Sequence, residues 1–315
     1  MSAETLRVQK IWDHAPHNAF TDLIRYGGRW FCAFREGESH VDEQASIRVL
    51  VSNDGDTWHS AALIGIAQRD LRDAKLCQTP DGRLMLNTCC VHREADKVLD
   101  VQTLAYFSVD GCEWGSPHKI GDNGYWLWRT DWHKGVAYSL GYKAGEGHHI
   151  RLFRSDDGIH FDVINECLLD EHGPSEYAFV FLEDDTCLCL LRRDDAKHPG
   201  CDNALLGQAQ PPYKNWQWQE LDERIGGPDM LQLPDGRILA GVRKFKDNCA
   251  KDWRAQWTEL SWLDRDNARL MPCVKLPSGG DSSYPGMVFY DGEVWVSYYS
   301  SHEEKTAIYL ARIVL

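Results

Sequence analysis

The chain has 315 residues, and its 48 acidic side chains outnumber the 34 basic ones, which leaves a formal net charge of −14. Negative charge in this excess disfavours nucleic acid or an anionic membrane surface as a partner, since both attract basic faces. No run of about 18 apolar residues occurs, so no membrane-spanning helix is predicted. The hydrophobic content of 43%, with 13 Trp and 12 Tyr, is ample for the core of a folded domain.

Hydrophobic runs come in pairs along the chain, and a short polar turn separates the two runs of each pair. With one central residue per turn, the six turns are at Gly28, Gly82, Gly135, Asp185, Gly236 and Gly292. Neighbouring turns are 50 to 56 residues apart. Asp-Gly and Gly-Gly pairs supply the positive φ angles that tight hairpins need, and hairpins repeated at this period are typical of a β-propeller. The sequence therefore predicts an all-β fold, a six-bladed β-propeller in which residues 1–315 form a single domain.

Two further apolar runs lie near the ends of the sequence, at residues 6–12 and 307–314. A propeller ring can close by pairing strands from both ends within one blade, which removes an exposed strand edge. We therefore expect the N-terminal strand to close the sixth and last blade.

A second pattern, Ser-x-Asp-Gly-x-x-aromatic, occurs at residues 52–58, 108–114 and 155–161. Ser and Asp side chains can hydrogen-bond to the backbone of such a turn, and the aromatic ring can pack between sheets. The three turns resemble the Asp-box (BNR) repeats of the sialidase (neuraminidase) superfamily, whose fold is a six-bladed propeller. The resemblance extends over nearly the whole chain and implies a glycosidase of carbohydrate metabolism.

The eleven cysteines are odd in number, and several, such as Cys89, Cys187 and Cys189, lie within predicted strands. This favours buried reduced thiols over a disulfide framework, and together with the lack of a secretory pattern at residues 1–5 it favours the cytoplasm. Neither a C-x-x-C nor an H-E-x-x-H motif occurs, so we expect no metal ion and no other cofactor. The pattern specifies no oligomeric state.

The repeat places equivalent residues of different blades at the same end of the ring. Seven residues after three of the turns lie Arg35, Arg192 and Arg243, which should reach one face. Glu176 and Tyr284 lie eight to ten residues before their turns and should line the same face. A cluster of guanidinium groups there can bind a carboxylate through paired, charge-assisted hydrogen bonds.

The resemblance to sialidases implies roles for these residues in a retaining, exo-acting hydrolase. Tyr284 matches the nucleophilic tyrosine of the last blade, and Glu176 matches the base that takes its proton. Arg243 and Arg192, or the adjacent Arg193, match two members of the arginine triad that holds the substrate carboxylate. A neutral phenol avoids the repulsion that a carboxylate nucleophile would meet from an acidic sugar. We expect the neighbouring arginines to lower the pKa of Tyr284 by favouring the phenolate.

The residues that follow Arg35 match the sialidase loop that carries the general acid. Asp42 is one candidate for this role in the chain. His40 is the other candidate, since an imidazole can also protonate a leaving oxygen near neutral pH. Arg35 itself matches the arginine that precedes this loop and is predicted to bind substrate.

The chain departs from the sialidase pattern in the first blade. Residues 17–23 lack the remaining arginine of the triad. We expect His17 or Asn18 to contact the substrate there instead. The departure favours another carboxylated sugar, such as a different ulosonic acid or a uronic acid, over sialic acid itself.

Three other inner-strand residues are candidates for sugar contact. Asp73 and Asp229 can orient an arginine or bind sugar hydroxyl groups, although aspartates at such positions commonly tie blades together. Trp126 can provide a stacking wall for a sugar ring, although aromatic packing between blades is the commoner role. Two other functions stay open: a uronate lyase in which His17, His40 or a tyrosine removes the C5 proton, and a carbohydrate-binding propeller without activity.

Overall fold

The computed structural model describes residues 5–95, 97–143, 149–194, 202–248 and 253–315. Within these ranges the chain forms 25 β-strands and two single 3₁₀ turns, Lys246–Asn248 and Trp253–Ala255, and it contains no α-helix. None of the described helical turns has the length and apolarity needed to cross a membrane. The strands form six antiparallel sheets, which are the six blades of the predicted propeller.

The first described strand is β1 (Thr5–Trp12), and blades 1 to 3 follow it, each running from its inner strand to its outer strand. Blade 1 consists of β2 (His17–Tyr26), β3 (Arg29–Gly37), β4 (Ser46–Ser52) and β5 (His59–Ile64). Blade 2 consists of β6 (Asp70–Gln78), β7 (Leu84–Glu94), β8 (Lys97–Ser108) and β9 (His118–Ile120). The inner strand of blade 3 is split, and the blade consists of β10 (Tyr125–Leu127), β11 (Asp131–His133), β12 (Val136–Lys143), β13 (Ile150–Ser155) and β14 (Asp162–Leu169).

Blades 4 to 6 continue in the same order. Blade 4 consists of β15 (Pro174–Phe181), β16 (Cys187–Arg193), β17 (Leu205–Ala209) and β18 (Gln217–Glu220). Blade 5 consists of β19 (Gly226–Gln232), β20 (Ile238–Phe245), β21 (Gln256–Asp264) and β22 (Arg269–Lys275). Blade 6 consists of β23 (Ser282–Tyr290), β24 (Glu293–Ser300), β25 (Ala307–Val314) and β1. All six predicted turns join an inner strand to the second strand of its blade.

The N-terminal strand closes the ring, as the sequence predicts. β1 is the outermost strand of blade 6 and pairs antiparallel with β25, with Thr5 opposite Val314 and Trp12 opposite Ile308. The inner strand β23 packs beside β2 of blade 1. Blade 6 therefore combines strands from both ends of the described chain.

Apolar side chains fill the spaces between neighbouring blades. At the junction between blades 1 and 6, for example, Trp30 stacks on Trp295 with 4.2 Å between the ring centres. The nine described cysteines form no disulfide, and Cys89, Cys187 and Cys189 are buried in these layers. Burial of aromatic and aliphatic surface between adjacent blades is therefore what holds the ring together.

The three Ser-x-Asp-Gly turns join the third and fourth strands of blades 1, 2 and 3. In the first of them, the hydroxyl of Ser52 accepts the backbone N–H of Gly55 at 2.8 Å, and Asp54 accepts that of Thr57 at 2.9 Å. The turns of blades 2 and 3 repeat both hydrogen bonds. The repeated sequence pattern thus encodes a repeated local structure.

The inner strands of five blades share a β-bulge close to one end of the ring. Each bulge leaves two residues unpaired with the second strand, and these are Phe20 and Thr21, Asp73 and Ala74, Ser175 and Glu176, Gly227 and Pro228, and Tyr284 and Pro285. In blade 3 the break at 128–130, between β10 and β11, takes the place of the bulge. A bulge re-aims the side chains next to it. Residues of different blades can therefore meet at this level of the propeller.

Charged side chains from four blades are buried together between the inner strands. This axis cluster consists of Asp22, Lys75, Arg129, Asp131 and Asp229. Arg129 donates to Asp229 at 2.5 Å and lies 3.8 Å from Asp22. Asp22 also accepts the backbone N–H of Leu76 at 2.7 Å, and Asp229 accepts that of Met287 at 3.0 Å. The two carboxylates therefore tie each of their blades to the next one.

Candidate functional site

Tyr284 and Glu176 meet where the bulges of blades 6 and 4 face each other. The Tyr284 hydroxyl donates to Oε1 of Glu176, and both side chains are buried. The second carboxylate oxygen, Oε2, accepts the backbone N–H of Gly227 at 2.8 Å. A phenol in direct contact with a fixed carboxylate has an acceptor for its proton, which is the arrangement that activates an oxygen nucleophile.

Gly227 allows the phenol ring to come this close. Its φ is +50°, and a Cβ at this position would lie 2.6 Å from Cδ2 of Tyr284. A side chain could be accommodated only by displacing the ring, and the left-handed φ is itself unfavourable for residues other than glycine.

Arg192 and Arg243 flank the pair from the second strands of blades 4 and 5. Nη1 of Arg192 lies 2.7 Å from Oε1 of Glu176 and donates to the Tyr284 hydroxyl at 3.3 Å. The guanidinium of Arg243 lies 5.1 Å from the centre of the Tyr284 ring, and its Nη2 donates to the Tyr299 hydroxyl at 2.7 Å. Positive charge therefore borders the phenol on two sides.

The surroundings shift the pKa values of Glu176 and Tyr284 in opposite directions. Burial alone raises the pKa of Glu176, but the charge of Arg192 and the hydrogen bond from Tyr284 outweigh it and lower that pKa. Burial, followed by the charge of Glu176, raises the pKa of Tyr284 well above its ordinary value. The charges of Arg192 and Arg243 act to lower the pKa of Tyr284, as expected, but burial and the Glu176 carboxylate outweigh them, so the net shift is upward. At rest the phenol is protonated and Glu176 is ionised.

Arg72 carries a third guanidinium near the pair, although it is not among the predicted site residues. It lies on β6 directly before the bulge of blade 2, with its guanidinium 5.0 Å from the ring centre of Phe20. The Phe20 ring lies in turn 5.0 Å from that of Tyr284. Phe20 belongs to the stretch 17–23 of blade 1, which lacks an arginine. The guanidinium of Arg72, from the neighbouring blade 2, packs on Phe20 in this stretch.

A second group, the mouth cluster of His17, His40 and Asp281, lies on the wall of a cavity of about 530 Å³ that Arg243 also lines. Nε2 of His17 and Nδ1 of His40 lie 2.9 and 2.7 Å from the same oxygen, Oδ2 of Asp281. The other oxygen accepts the Tyr299 hydroxyl at 2.8 Å. Since Tyr299 also accepts from Arg243, hydrogen bonds connect the cavity wall to the arginine beside Tyr284. The donor atoms of the three cluster residues lie within 4.8 Å of one another, close enough to hold a metal ion.

The two candidate acids of the loop after β3 are placed differently. His40 lines the cavity, with half of its side-chain surface exposed. The carboxylate of Asp42 instead accepts the backbone N–H groups of Glu38 at 2.7 Å and Gln44 at 3.3 Å, which folds the loop. Burial raises the pKa of Asp42, but these hydrogen bonds outweigh it and lower that pKa, so the carboxylate is ionised at neutral pH.

Four other predicted contact residues direct their polar groups into the fold. Arg35 is fully buried and donates to a carboxylate of blade 2 at 2.7 Å. Asn18 donates to two backbone carbonyls, both at 2.8 Å. Arg193 pairs with Glu220 on the outer strand of blade 4. Asp229 belongs to the axis cluster, so the structure does not bring these four residues to the cavity wall.

Asp73 and Trp126 lie nearer to the pair. One Asp73 oxygen accepts the indole N–H of Trp128 at 3.1 Å, and the other is buried with no hydrogen-bond partner among the described residues. Burial raises the pKa of Asp73 to about 6 against the opposing charge of Arg72. Trp126 stacks on Tyr142 at 5.6 Å, and burial followed by the charge of Asp73 raises the pKa of Tyr142. The stacked rings therefore stand beside the site on the blade 3 side.

Solved structures share this fold at low sequence identity. A protein of unknown function from Dyadobacter fermentans is 19% identical with a TM-score of 0.81, covering 99% of this chain and 100% of that one. A Trypanosoma rangeli sialidase is 13% identical with a TM-score of 0.74, and the match covers 98% of this chain and 60% of the sialidase. An α-L-arabinofuranosidase from Fusarium graminearum is 12% identical with a TM-score of 0.72, covering 97% and 96%.

No family model matches the chain, and no curated protein sequence matches it. At identities this low, structural likeness establishes the fold alone. The chain is a six-bladed propeller, a fold that it shares with a sialidase and an α-L-arabinofuranosidase.

Proposed function

We propose that the protein is a retaining, exo-acting glycoside hydrolase that releases a carboxylate-bearing sugar. The observation that carries the proposal is the hydrogen bond from Tyr284 to Glu176, with Arg192 and Arg243 beside it. The presence of glycoside hydrolases among the structural neighbours supports the class of reaction.

The reaction proceeds in two displacements. In the first, the phenolic oxygen of Tyr284 attacks the anomeric carbon, its proton passes to Glu176, and the glycosidic bond breaks as a general acid protonates the leaving oxygen. In the second, water attacks the same carbon and gives its proton to the deprotonated acid, while the tyrosine oxygen leaves and recovers its proton from Glu176. Two inversions at one carbon retain the configuration of the sugar.

The electrostatics of the pair fit these steps. Arg192 keeps Glu176 ionised and able to accept a proton, whereas burial keeps Tyr284 protonated until the substrate is in place. Proton transfer therefore accompanies the attack, and no phenolate waits in the empty site. A neutral nucleophile is also what an acidic sugar needs, because its carboxylate would repel an anionic one.

Guanidinium groups around the site favour an anionic substrate. Arg243 lines the cavity, and Arg72 and Arg192 lie nearby on other blades. Phe20 stands in the stretch of blade 1 where the sialidase pattern has an arginine, so the carboxylate must be held from a different direction. This supports a ulosonic or uronic acid other than the common sialic acids as the sugar.

Replacement of Tyr284 by phenylalanine tests the proposal. The wild type and variant are assayed on 4-methylumbelliferyl glycosides of sialic, ulosonic and uronic acids, and NMR gives the configuration of the first-formed product. We expect retention in the wild type and a loss of roughly 10³-fold or more in kcat/KM for the variant. Tyr298→Phe is the matched control, since the hydroxyl of this blade 6 tyrosine donates to the backbone carbonyl of Pro277, in the connection between blades 5 and 6.

An equally active Tyr284→Phe variant would contradict the proposed nucleophile. A product with ultraviolet absorbance from a new double bond would identify a uronate lyase instead, for which His17 and His40 on the cavity wall are the candidate bases.

A further inference from the structure

We propose that His40 is the general acid of this reaction and that Asp281, backed by His17, positions it. The inference rests on the proposed function and adds the one role that the Tyr284–Glu176 pair leaves open. It replaces the carboxylic acid that the sialidase resemblance implies for this loop with an imidazolium.

The His40 ring is held on three sides and open on the fourth. Its Nδ1 lies 2.7 Å from Oδ2 of Asp281. The rings of Phe20 and His17 pack edge-on against it, at centre distances of 5.2 and 5.5 Å. The side chain is half exposed and lines the cavity. Phe20 also contacts Tyr284, so one aromatic ring lies between the acid and the nucleophile and sets their separation.

Asp281 is equipped to stay ionised beside the histidine. Burial raises its pKa, but the hydrogen bonds of His17 and His40 and the charge of Arg243 outweigh it and hold the pKa far below its usual range. The Tyr299 hydroxyl fixes its second oxygen at 2.8 Å. A carboxylate fixed in this way orients the imidazole and stabilises its positive charge.

The surroundings of Asp42, in contrast to those of His40, do not suit a general acid. Its oxygens accept backbone N–H groups of its own loop, at 2.7 and 3.3 Å, and its pKa is lowered by these bonds against burial. An acid catalyst must carry a proton near neutral pH, and hydrogen bonds from backbone amides favour the form without one. Asp42 therefore shapes the loop that presents His40.

The mouth cluster also has the donor atoms of a metal site. The hydrogen bond at the second ring nitrogen of His17, Nδ1, decides whether the cluster is better explained as a metal site or as a hydrogen-bonded general acid. Nη1 of Arg35 lies 3.5 Å from Nδ1 of His17, and a guanidinium can only donate. Nδ1 is then the acceptor, and the ring proton is on Nε2, facing Asp281, where a metal would need a lone pair. The positive charge of Arg243, 3.9 Å from Asp281, further opposes a divalent cation. The geometry favours a hydrogen-bonded acid.

As an imidazolium, His40 donates its Nδ1 proton to Asp281 and presents its Nε2 proton to the glycosidic oxygen. The Nε2 proton passes to that oxygen as the bond to the anomeric carbon breaks and the bond from Tyr284 forms. Neutral His40 then accepts a proton from the attacking water in the second displacement. Each turnover thus restores both the acid and the nucleophile.

A leaving-group series tests the assignment on His40→Gln, with Asp42→Asn as the comparison. Glycosides of the acidic sugar are prepared with 2,4-dinitrophenol, 4-methylumbelliferone, phenol and methanol as leaving groups. We expect His40→Gln to lose about 10²- to 10⁴-fold in kcat/KM on the phenyl and methyl glycosides. The loss on the dinitrophenyl glycoside should be less than ~10-fold, because dinitrophenolate is a leaving group that needs no proton. Asp281→Asn should show the same selective loss in weaker form, a pattern that loss of folding does not produce.

Asp42→Asn is expected to keep the wild-type dependence on the leaving group. The assignment is overturned if His40→Gln keeps that dependence, or if Asp42→Asn becomes the leaving-group-sensitive variant. It is also overturned if EDTA abolishes activity and Zn²⁺ restores it. An active Tyr284→Phe variant contradicts the proposed function, whereas an inactive one with an insensitive His40→Gln contradicts only the assignment of the acid.

Discussion

Two of the buried groups of charges among the described residues look alike in composition and differ in their partners. In the axis cluster, Asp22 and Asp229 share Arg129, and each also accepts a backbone N–H of the following blade. In the site, Glu176 also accepts a backbone N–H, but its other oxygen receives the hydroxyl of Tyr284.

This difference separates structural from chemical roles. Axis carboxylates are bound to groups that cannot react, such as a guanidinium and amides of the main chain. Glu176 is bound to a phenol that can exchange its proton, and Arg243 beside that phenol lines a cavity of about 530 Å³. Buried charge alone therefore does not mark a candidate site, whereas a buried carboxylate with a phenol hydroxyl as its partner does.

The largest change in stability is expected from Arg129→Met. The substitution removes the guanidinium that Asp22 and Asp229 share and leaves Lys75 as the remaining cation of the cluster. Breaking a buried pair in this way costs about 3–5 kcal/mol. Urea unfolding measures the loss in the free energy of unfolding. A variant as stable as the wild type would mean that the axis cluster does not hold the blades together.

Glu176→Gln should affect activity far more than stability. The amide still accepts the N–H of Gly227 but no longer takes the proton of Tyr284, so kcat/KM should fall by about 10²–10⁴-fold. The free energy of unfolding should fall less than in Arg129→Met, because Arg192 retains Asp194 as a partner at 2.7 Å. A large loss of stability with little loss of activity would remove the contrast between the two clusters.

Gly227→Ala sharpens the comparison within the site, with Gly236→Ala as its control. Both glycines have positive φ, at +50° and +85°, so both variants carry backbone strain of about 1–3 kcal/mol. Only the Cβ at 227 meets Tyr284, whereas nothing lies within 4 Å of a Cβ at 236. We therefore expect a larger loss of stability in Gly227→Ala than in Gly236→Ala, and a loss of kcat/KM in Gly227→Ala alone. Equal activities would show that the ring position tolerates displacement.

A pH-dependent effect concerns Asp131, whose pKa is raised to about 7 by burial, against the charge of Arg129 and with the charges of Asp229 and Asp22 adding to the rise. Between about pH 4 and pH 7 the folded protein holds a proton there that the unfolded chain has released. Raising the pH across this range therefore lowers the free energy of unfolding, by at most about 1.4 kcal/mol per unit. Asp131→Asn should flatten this dependence in urea unfolding at pH 5, 6 and 7. Parallel curves for the two proteins would contradict the raised pKa.

The fold could be predicted from the sequence because its signals are local. Each turn at an Asp-Gly or Gly-Gly pair specifies a hairpin, and the constant interval between turns specifies the repetition. The same register brought Glu176, Tyr284, Arg192 and Arg243 together in the analysis, and the structure places these four side chains in one group.

Most features of the site that the sequence did not predict depend on details finer than the register of the repeat. Neighbouring residues of a strand point to opposite faces, so an uncertainty of one position could not distinguish Arg192 from Arg193. Arg72 lies ten residues before Gly82, within the same window as Glu176 and Tyr284, so a search of these positions for basic residues is the signal that could have found it. Asp281 directly precedes β23 and belongs to no repeated pattern. The raised pKa of Tyr284 follows from burial, which a sequence does not display.

Closure by β1 has a consequence for how the protein is made. β1 is synthesised before every other described strand, yet its partner β25 is the last of them to leave the ribosome. Until then β1 is an unsatisfied edge that can capture a neighbouring nascent chain. Tyr284 lies on the last blade and Glu176 on the fourth, so a chain that ends before β23 lacks the proposed nucleophile.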